Sequence, residues 1–249
     1  MHRFFVHDTG LSLQQTAEES TITLPEKIAH QVRDVLRLHI GEQLVLLDNS
    51  GEEFVAKVTR IERKIVEVRI VERRASSIES SVRIVLCQGL LKSARFEWML
   101  EKGTELGVAA FSPVLCHRST SGLEDAGSAK LQRWQRIMQE ATELCGRSLI
   151  PELLPIRPLA QALEGVPSTA LALIPWEEEQ ECSLRTALRA AKPQEKTIYL
   201  FIGPEGGFTV DEIQLAQQHG VQSVTLGKRI MRAETAALAT VANVLYELE

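Results

Sequence analysis

The stretch IGPEGGFTVDEI, residues 202–213, combines three glycines with a glutamate, a composition suited to a loop that binds a ligand through its backbone. Gly203, Gly206 and Gly207 carry no Cβ, so their N–H groups can approach a ligand closely. The helix expected to begin near Thr209 would point the positive end of its dipole towards the same loop. A tight strand-to-helix turn that needs glycine only for its backbone angles fits the spacing equally well. The stretch matches neither GxGxxG nor a P-loop, so a nucleoside triphosphate is not the expected ligand.

A second stretch, LGKRIMRAETAALA at residues 226–239, places cations where a reaction that develops negative charge would need them. Lys228, Arg229 and Arg232 lie within five positions, and Glu234 follows at the start of an alanine-rich helix. Taken singly, Arg232 could be a solvated surface charge and Glu234 a first-turn carboxylate favoured by the helix dipole. Because both stretches follow apolar runs typical of strands, we expect them to meet at one edge of a sheet and form a pocket.

The elements that must position these loops alternate along the second part of the chain. Five apolar runs predict strands: VRIVLCQGL, VAAFSPVLC, TALALIP, TIYLFIG and QSVTLG. Helical periodicity separates them, with one helix expected to be capped by Ser93 and another to begin with a capping box from Thr209 to Glu212. This alternation predicts an α/β fold with a mostly parallel sheet and helices on both faces. Ligands bind such sheets at the carboxyl ends of the strands, where both stretches lie.

Residues 1–74 have a different pattern, with short two-periodic segments that predict a small β-barrel carrying one helix. The serine-rich run RRASSIESS follows, and polar joints of this kind are common at domain boundaries. We therefore predict two domains, residues 1–74 and 75–249.

Composition excludes several classes of protein. The 249 residues carry a formal charge of −5, which argues against binding nucleic acid through bulk electrostatics. The four cysteines and six histidines show no metal-ligand spacing, so we expect no metal and interpret the cysteines as buried thiols. No apolar run is long enough for a signal peptide or a membrane span. We expect a soluble cytoplasmic protein.

Several segments together point to a family. They are HRFFV, HQVRDVLRL, KSARFEWMLEKGTELGV, RWQRIMQEATELCGRSLIPEL, IGPEGGFTVDEI and LGKRIMRAETAALA. In this order they resemble the bacterial 16S ribosomal RNA (uracil-N3)-methyltransferases, the RsmE group of the SPOUT superfamily, over essentially the whole chain. His117 stands where that family commonly has an acidic residue, and Lys228 and Ala233 stand where proline and threonine are more usual. We consider these positions permissive.

The resemblance implies features that periodicity cannot show. SPOUT enzymes tie the C-terminal part of the sheet into a trefoil knot, which general folding rules would reject, and bind S-adenosylmethionine in that knot. The resemblance also implies a homodimer with the active site near the subunit interface. It further implies that residues 1–74 form a PUA-type RNA-binding domain and that 16S rRNA in the small ribosomal subunit is the substrate.

Carried over to this sequence, the resemblance implies a cofactor pocket made from three strand ends and the loops that follow them. Its expected residues are Leu173, Ile174, Pro175, Ile202, Gly203, Pro204, Gly206, Gly207, Leu226, Gly227, Ile230, Met231, Arg232 and Ala236. Methyl transfer to uracil N3 also requires the N3 proton to leave, because a protonated imide nitrogen is a poor nucleophile. Arg232 is the expected stabiliser of negative charge on the uracil oxygens. Glu205 or Glu234 is expected to take the proton or to orient Arg232.

RNA contacts are expected to be local. The expected RNA-binding residues are Arg3, Arg60, Arg63, Lys64, Arg73, Arg74, Lys92 and Arg95. Any one surface cation is more commonly just solvated, but as a set they favour phosphate contacts. Two other functions stay open: a related knotted enzyme that methylates the ribose 2′-OH, and a ribosome-assembly factor that has lost turnover. The intact GPEGG and RAET segments favour an active enzyme.

Overall fold

The computed structural model describes residues 1–6, 13, 20–119, 127–190 and 197–249. Its contacts divide into two compact units. The first comprises Met1–Glu79 and Thr142–Ile150, and the second comprises Ser80–Ala141 and Pro151–Glu249. No sequence pattern predicts that residues 142–150 belong to the first unit. The domain boundary between residues 74 and 75 stays a prediction.

The first unit is a five-stranded sheet with one short helix. Its elements are β1 (His2–Phe5), β2 (Thr21–Thr23), α1 (Glu26–His30) with a π-helical turn (Gln31–Val35), β3 (Gln43–Leu47), β4 (Glu52–Ile61) and β5 (Val66–Ala75). The strand order is β1-β3-β4-β5-β2. Strand β1 pairs in parallel with β3, and the other three pairs are antiparallel. In β3, Leu44 and Leu46 enter a core shared by all five strands, whereas Val45 and Leu47 pack on the other face with Phe5. This alternation is the two-residue period of a strand with both faces covered.

The second unit is built around a parallel sheet. Its elements are β6 (Arg83–Gly89), α2 (Ser93–Glu105), β7 (Ala110–Leu115), α3 (Ser128–Cys145), β8 (Glu152–Leu153), β9 (Arg157–Pro158), α4 (Leu159–Glu164), β10 (Leu171–Pro175), α5 (Leu184–Ala190), β11 (Thr197–Ile202), α6 (Val210–Gln218), β12 (Gln222–Val224) and α7 (Ala233–Leu248). The strand order is β12-β10-β11-β6-β7-β8, with β9 also on β7, and each of these pairs is parallel. The predicted α/β architecture is confirmed.

The two predicted helix caps have different outcomes. The α6 box is present: the Glu212 N–H donates to Thr209 Oγ1 at 3.2 Å, and the Thr209 N–H donates to the Glu212 carboxylate at 2.8 Å. The cap at Ser93 is wrong by one residue. Lys92 occupies the N-cap of α2, and the Ser93 hydroxyl lies 3.3 Å from the Glu97 carboxylate instead. A serine inside the first turn can bond to the side chain four residues later, and sequence alone does not separate that use from capping.

The loop after β10 surrounds the chain at the end of β12. The Trp176 N–H donates to the Val224 carbonyl at 3.0 Å. On the next residue, the Thr225 N–H donates to the Cys182 carbonyl at 2.8 Å, and the Leu184 N–H donates to the Thr225 carbonyl at 3.1 Å. Successive residues of an extended chain point their backbone groups to opposite edges. The two ends of one loop therefore bond to opposite edges of the same segment. The trefoil knot itself stays an expectation from the family resemblance.

Candidate active site

A cavity of about 550 Å³ lies at the carboxyl ends of β10 and β12. Six of the expected cofactor residues line it: Pro175, Leu226, Gly227, Ile230, Met231 and Ala236. The lining also contains seven residues that were not predicted as cofactor contacts: Trp176, Glu177, Glu179, Gln180, Thr225, Lys228 and Arg229. Their position directly after the strands is the one signal that could have identified them.

The loop after β12 offers unused backbone donors beside this cavity. The N–H groups of Leu226, Ile230 and Arg232 have no acceptor within the described part of the chain. The Gly227 N–H, in contrast, donates to Thr225 Oγ1 at 3.2 Å. Donors that are free next to an apolar lining suit a planar ligand with acceptor atoms on its edge, such as adenine.

The start of the glycine loop is packed against the end of β6. A Cβ added to Gly89 would lie 2.6 Å from the Pro204 nitrogen and 2.9 Å from the Gly203 carbonyl carbon. The Gln88 side chain, which is 1% exposed, donates to the Gly203 carbonyl at 3.1 Å. Its Oε1 is buried and has no partner among the described residues. The close approach fixes where the loop leaves the sheet.

Two later glycines of the loop face charged side chains. Arg118 Nη1 donates to the Gly206 carbonyl at 2.8 Å, and a Cβ on Gly206 would lie 2.9 Å from the Arg118 Cβ. Gly207 has a φ of +68°, and a Cβ there would lie 2.9 Å from Glu177 Oε1. A side chain at Gly207 would therefore be strained by its backbone and would displace the Glu177 carboxylate.

Eight expected cofactor residues do not line the cavity: Leu173, Ile174, Ile202, Gly203, Pro204, Gly206, Gly207 and Arg232. Four of these are buried. Leu173 and Ile174 are 0% exposed and Ile202 is 3% exposed, and Pro204 is also buried. These residues support the wall of the site from inside the sheet, because their side chains belong to the core of the second unit.

The two candidate carboxylates are joined by one arginine. Arg95 Nη1 lies 3.5 Å from Glu205 Oε1, which also accepts the Lys92 N–H at 3.1 Å. Arg95 Nε lies 3.8 Å from Glu234 Oε1. Glu234 is 8% exposed, and its Oε2 is buried without a partner among the described residues. Arg95, expected to contact RNA, is therefore already engaged with two carboxylates.

Replacing Arg95 by alanine is expected to lower the free energy of unfolding by about 1–2 kcal/mol, because Glu234 would stay buried and lose its cation. Denaturant unfolding measures the change. The double variant Arg95→Ala/Glu234→Gln should recover part of it, since a neutral amide costs less to bury. Arg136→Ala is the matched control, because Arg136 pairs with Glu140 where both side chains are more than 60% exposed. An Arg95→Ala protein as stable as the control would contradict the pairing.

Arg232 has a different environment from the two carboxylates. It occupies the N-cap position of α7 with an exposed side chain. No ion pair to it is found among the residues that the structure describes. Its charge is therefore available at the end of the loop that lines the cavity.

Most of the cations expected to bind RNA in the first unit are paired with carboxylates. The pairs are Arg3 with Glu53, Arg60 with Glu62 and Glu67, Arg73 with Glu52, and Arg74 with Glu53. Burial would raise the pKa of Glu53, but hydrogen bonds from Arg3 and Arg74 outweigh it and lower the pKa. Arg63 and Lys64, at the turn between β4 and β5, are exposed and have no acidic partner in the described ranges. Among the cations of this set, Arg63 and Lys64 are therefore the two whose charge is available to RNA phosphates.

The described residues contain neither a candidate metal site nor a candidate membrane span. No group of three or more His, Cys, Asp or Glu side chains there could hold a metal ion. No helix in those ranges is long and apolar enough to cross a bilayer.

Comparison with known proteins places the chain in a family. A family model described as an RNA methyltransferase domain matches residues 78–245, and one described as an RNA methyltransferase PUA domain matches residues 24–71. The chain is 30% identical to the ribosomal RNA small subunit methyltransferase E of Bacillus subtilis, covering 100% of this chain and 98% of that protein. The chain belongs to the ribosomal RNA small subunit methyltransferase E family. The resemblance inferred from the sequence is thereby confirmed.

Solved structures of the family and its relatives share the whole architecture. The family member from Neisseria gonorrhoeae, bound to S-adenosyl methionine, is 34% identical with a TM-score of 0.86, and the match covers 98% of this chain and 96% of that one. A putative methyltransferase from Legionella pneumophila, in complex with the same cofactor, is 31% identical with a TM-score of 0.83, covering 97% and 96%. The family models confirm the expected PUA-type unit and the RNA methyltransferase unit, and the two solved structures share the fold over nearly the whole chain.

Proposed function

We propose that this protein is an S-adenosylmethionine-dependent methyltransferase that methylates N3 of a uracil in 16S rRNA. In this proposal it acts on the small ribosomal subunit in the cytoplasm, as a homodimer. The observation that carries the proposal is the cavity at the carboxyl ends of β10 and β12, with unused backbone donors beside it, in a chain that matches this family over its full length.

The lining of the cavity fits the cofactor. Leu226, Ile230 and Met231 supply apolar contact, and Ala236 leaves room where the chain enters α7. The free N–H groups of the same loop match the acceptors of an adenine. When bound, S-adenosylmethionine would supply an activated methyl group on a sulfonium. Gly207 marks where the glycine loop approaches the cavity, because a Cβ there would lie 2.9 Å from Oε1 of Glu177, which lines the cavity.

The side chains around the cavity suit the acceptor half of the reaction. Uracil N3 must lose its proton, and the negative charge then spreads over the neighbouring oxygens. Arg232, exposed and without an acidic partner in the described chain, is the group we assign to stabilise that charge. Glu234 keeps a free carboxylate oxygen, whereas Glu205 is bonded to Lys92 and Arg95. Of the two carboxylates, the free oxygen favours Glu234 as the proton acceptor.

The test is transfer of labelled methyl from S-adenosylmethionine to unmodified small ribosomal subunits, followed by nucleoside analysis. We expect 3-methyluridine. A 2′-O-methylated nucleoside would instead support the ribose methyltransferase alternative. If the protein bound small ribosomal subunits but no methylated nucleoside formed, the result would support a ribosome-assembly factor. The catalytic roles assigned to side chains here would then be wrong.

Replacing Arg63 and Lys64 together by alanine is expected to weaken subunit binding and to reduce the slope of log affinity against log salt by about 2, because each free cation releases roughly one counterion from phosphate. Filter binding at several salt concentrations measures the slope. Arg73→Ala is the control, since that guanidinium is paired with Glu52 and should change the slope by less than about 1. An unchanged slope in the double variant would mean that Arg63 and Lys64 do not contact RNA phosphates.

The homodimer is supported by the surface of α7. A groove of about 390 Å³ lies between α5 and α7, and Tyr246 is 86% exposed at its edge. Ile230, in the loop before α7, is 89% exposed. Exposed apolar side chains close to a groove are typical of a surface that a partner covers. Sedimentation equilibrium would contradict the proposal if it gave the mass of a single chain.

A further inference from the structure

The cavity contains two carboxylates, and one of them already has partners. The Ser223 hydroxyl donates to Glu179 Oε2 at 2.5 Å, and the N–H groups of Glu181 and Cys182 donate to Oε1 at 2.8 and 3.1 Å. These bonds, with that of Ser223 the largest influence, lower the pKa of Glu179. Both oxygens thus hold the loop around the segment at the end of β12, and neither is available to balance the charge of a ligand.

The other carboxylate, Glu177, is free. It forms no hydrogen bond and no ion pair within the described ranges. Lys228 and Arg229 line the same cavity but neither pairs with it. The carboxylate lies over Gly207, with Oε1, Oε2 and Cδ at 2.9, 3.6 and 3.7 Å from the position that a Cβ would take there. A negative charge is therefore held between the cavity and the glycine loop without a positive partner.

We propose that Glu177 makes the site distinguish the cofactor from its product by charge. This inference rests on the proposed function. S-adenosylmethionine and S-adenosylhomocysteine share the adenosine, the amino group and the carboxylate, and differ by one methyl group and one positive charge. A nearby unpaired carboxylate attracts the sulfonium and gains nothing comparable from the neutral thioether.

The consequence for turnover concerns product release. Methyl transfer removes the positive charge from the ligand while Glu177 stays ionised and unpaired. Glu177 is exposed, so water solvates the carboxylate again, and the attraction that held the cofactor is lost for the product. Release of the neutral product is favoured for this reason, and inhibition by accumulated product is reduced.

Titration calorimetry of the full-length protein tests the proposal without measuring turnover. In Glu177→Gln the affinity for S-adenosylmethionine should fall about tenfold, which is roughly 1.4 kcal/mol, whereas that for S-adenosylhomocysteine should stay within about twofold. An analogue with a protonated amine in place of the sulfonium should lose affinity in parallel with the cofactor. Glu178→Gln is the matched control, because Glu178 is exposed and adjacent in sequence but does not line the cavity.

Each other outcome overturns the inference. Equal losses for all three ligands would mean that Glu177 contacts a group they share, such as the ribose hydroxyls. Unchanged affinities, or the same change in Glu178→Gln, would mean that the carboxylate is merely solvated. If the wild-type protein bound none of the three ligands, the proposed function would fail as well, which separates that case from a failure of the inference alone.

Discussion

Replacing Arg232 by alanine is expected to reduce the rate of methyl transfer on the order of 100- to 1000-fold, the effect of removing one preorganised stabiliser of developing charge. Arg232 is exposed at the N-cap of α7 and has no ion pair among the described residues. Its charge is therefore not neutralised before substrate arrives. Because its side chain does not line the cavity, cofactor affinity should stay within about threefold. Single-turnover transfer of labelled methyl to small ribosomal subunits, with calorimetry of cofactor binding, measures both quantities.

Arg229→Ala provides the matched comparison for this variant. Arg229 is a second exposed cation of the same loop and lines the cavity, so its removal tests whether any positive charge near the site suffices. We expect a loss of only a few-fold, mainly in affinity. If both variants lost the same rate, any positive charge near the site would suffice, and the specific role assigned to Arg232 would be wrong. A fall in cofactor affinity as large as the fall in rate would make Arg232 a binding residue.

The Gly89→Ala variant is expected to lose about 3 kcal/mol of stability and to lower the melting temperature by roughly 6–10 °C. The new Cβ would lie 2.6 Å from the Pro204 nitrogen and 2.9 Å from the Gly203 carbonyl carbon. Backbone atoms cannot rotate away as a side chain can, so the end of β6 or the glycine loop must move. Since that loop borders the cavity, cofactor affinity should fall together with the melting temperature. Thermal unfolding followed by circular dichroism, and calorimetry at low temperature, measure the two effects.

The control for Gly89→Ala is another glycine of the same unit. A Cβ on Gly127 would meet no atom of the described residues within 4 Å, so Gly127→Ala should change the stability by less than about 0.5 kcal/mol. If Gly89→Ala had the same melting temperature as Gly127→Ala, the strand end and the loop would be able to move apart without loss of stability. The role assigned to the close approach would then be wrong.

The sequence predicted the parts of this fold that follow from local patterns. Apolar runs alternating with helical periods gave the parallel sheet, and the rule that ligands bind at the carboxyl ends of strands placed the cavity between the correct loops. The capping box of Thr209 and Glu212 can be predicted from sequence because both partners lie within one helical turn. The site residues Leu226 and Met231 came from the family resemblance, not from a pattern.

The remaining features depend on contacts between distant parts of the chain. The carboxylate of Glu177 against Gly207, the guanidinium of Arg95 between Glu205 and Glu234, and the Arg118 bond to the glycine loop join residues far apart in sequence. A single charged residue has no periodicity, so its sequence position does not say which partner it meets. For this reason the sequence alone predicts an RNA contact for Arg95 and does not predict its two carboxylate partners.

The segment enclosed by the loop after β10 also sets an order of assembly during synthesis. The residues that line the cavity after β12 follow the enclosed Val224 and Thr225 in the chain. They can take their places only after the ribosome has made them and after Val224 and Thr225 have bonded to the two ends of the loop. Strands β6 and β7 can pair much earlier, because domains fold progressively as the chain emerges. The scaffold of this unit is thus an early product of translation, and its cofactor site is a late one.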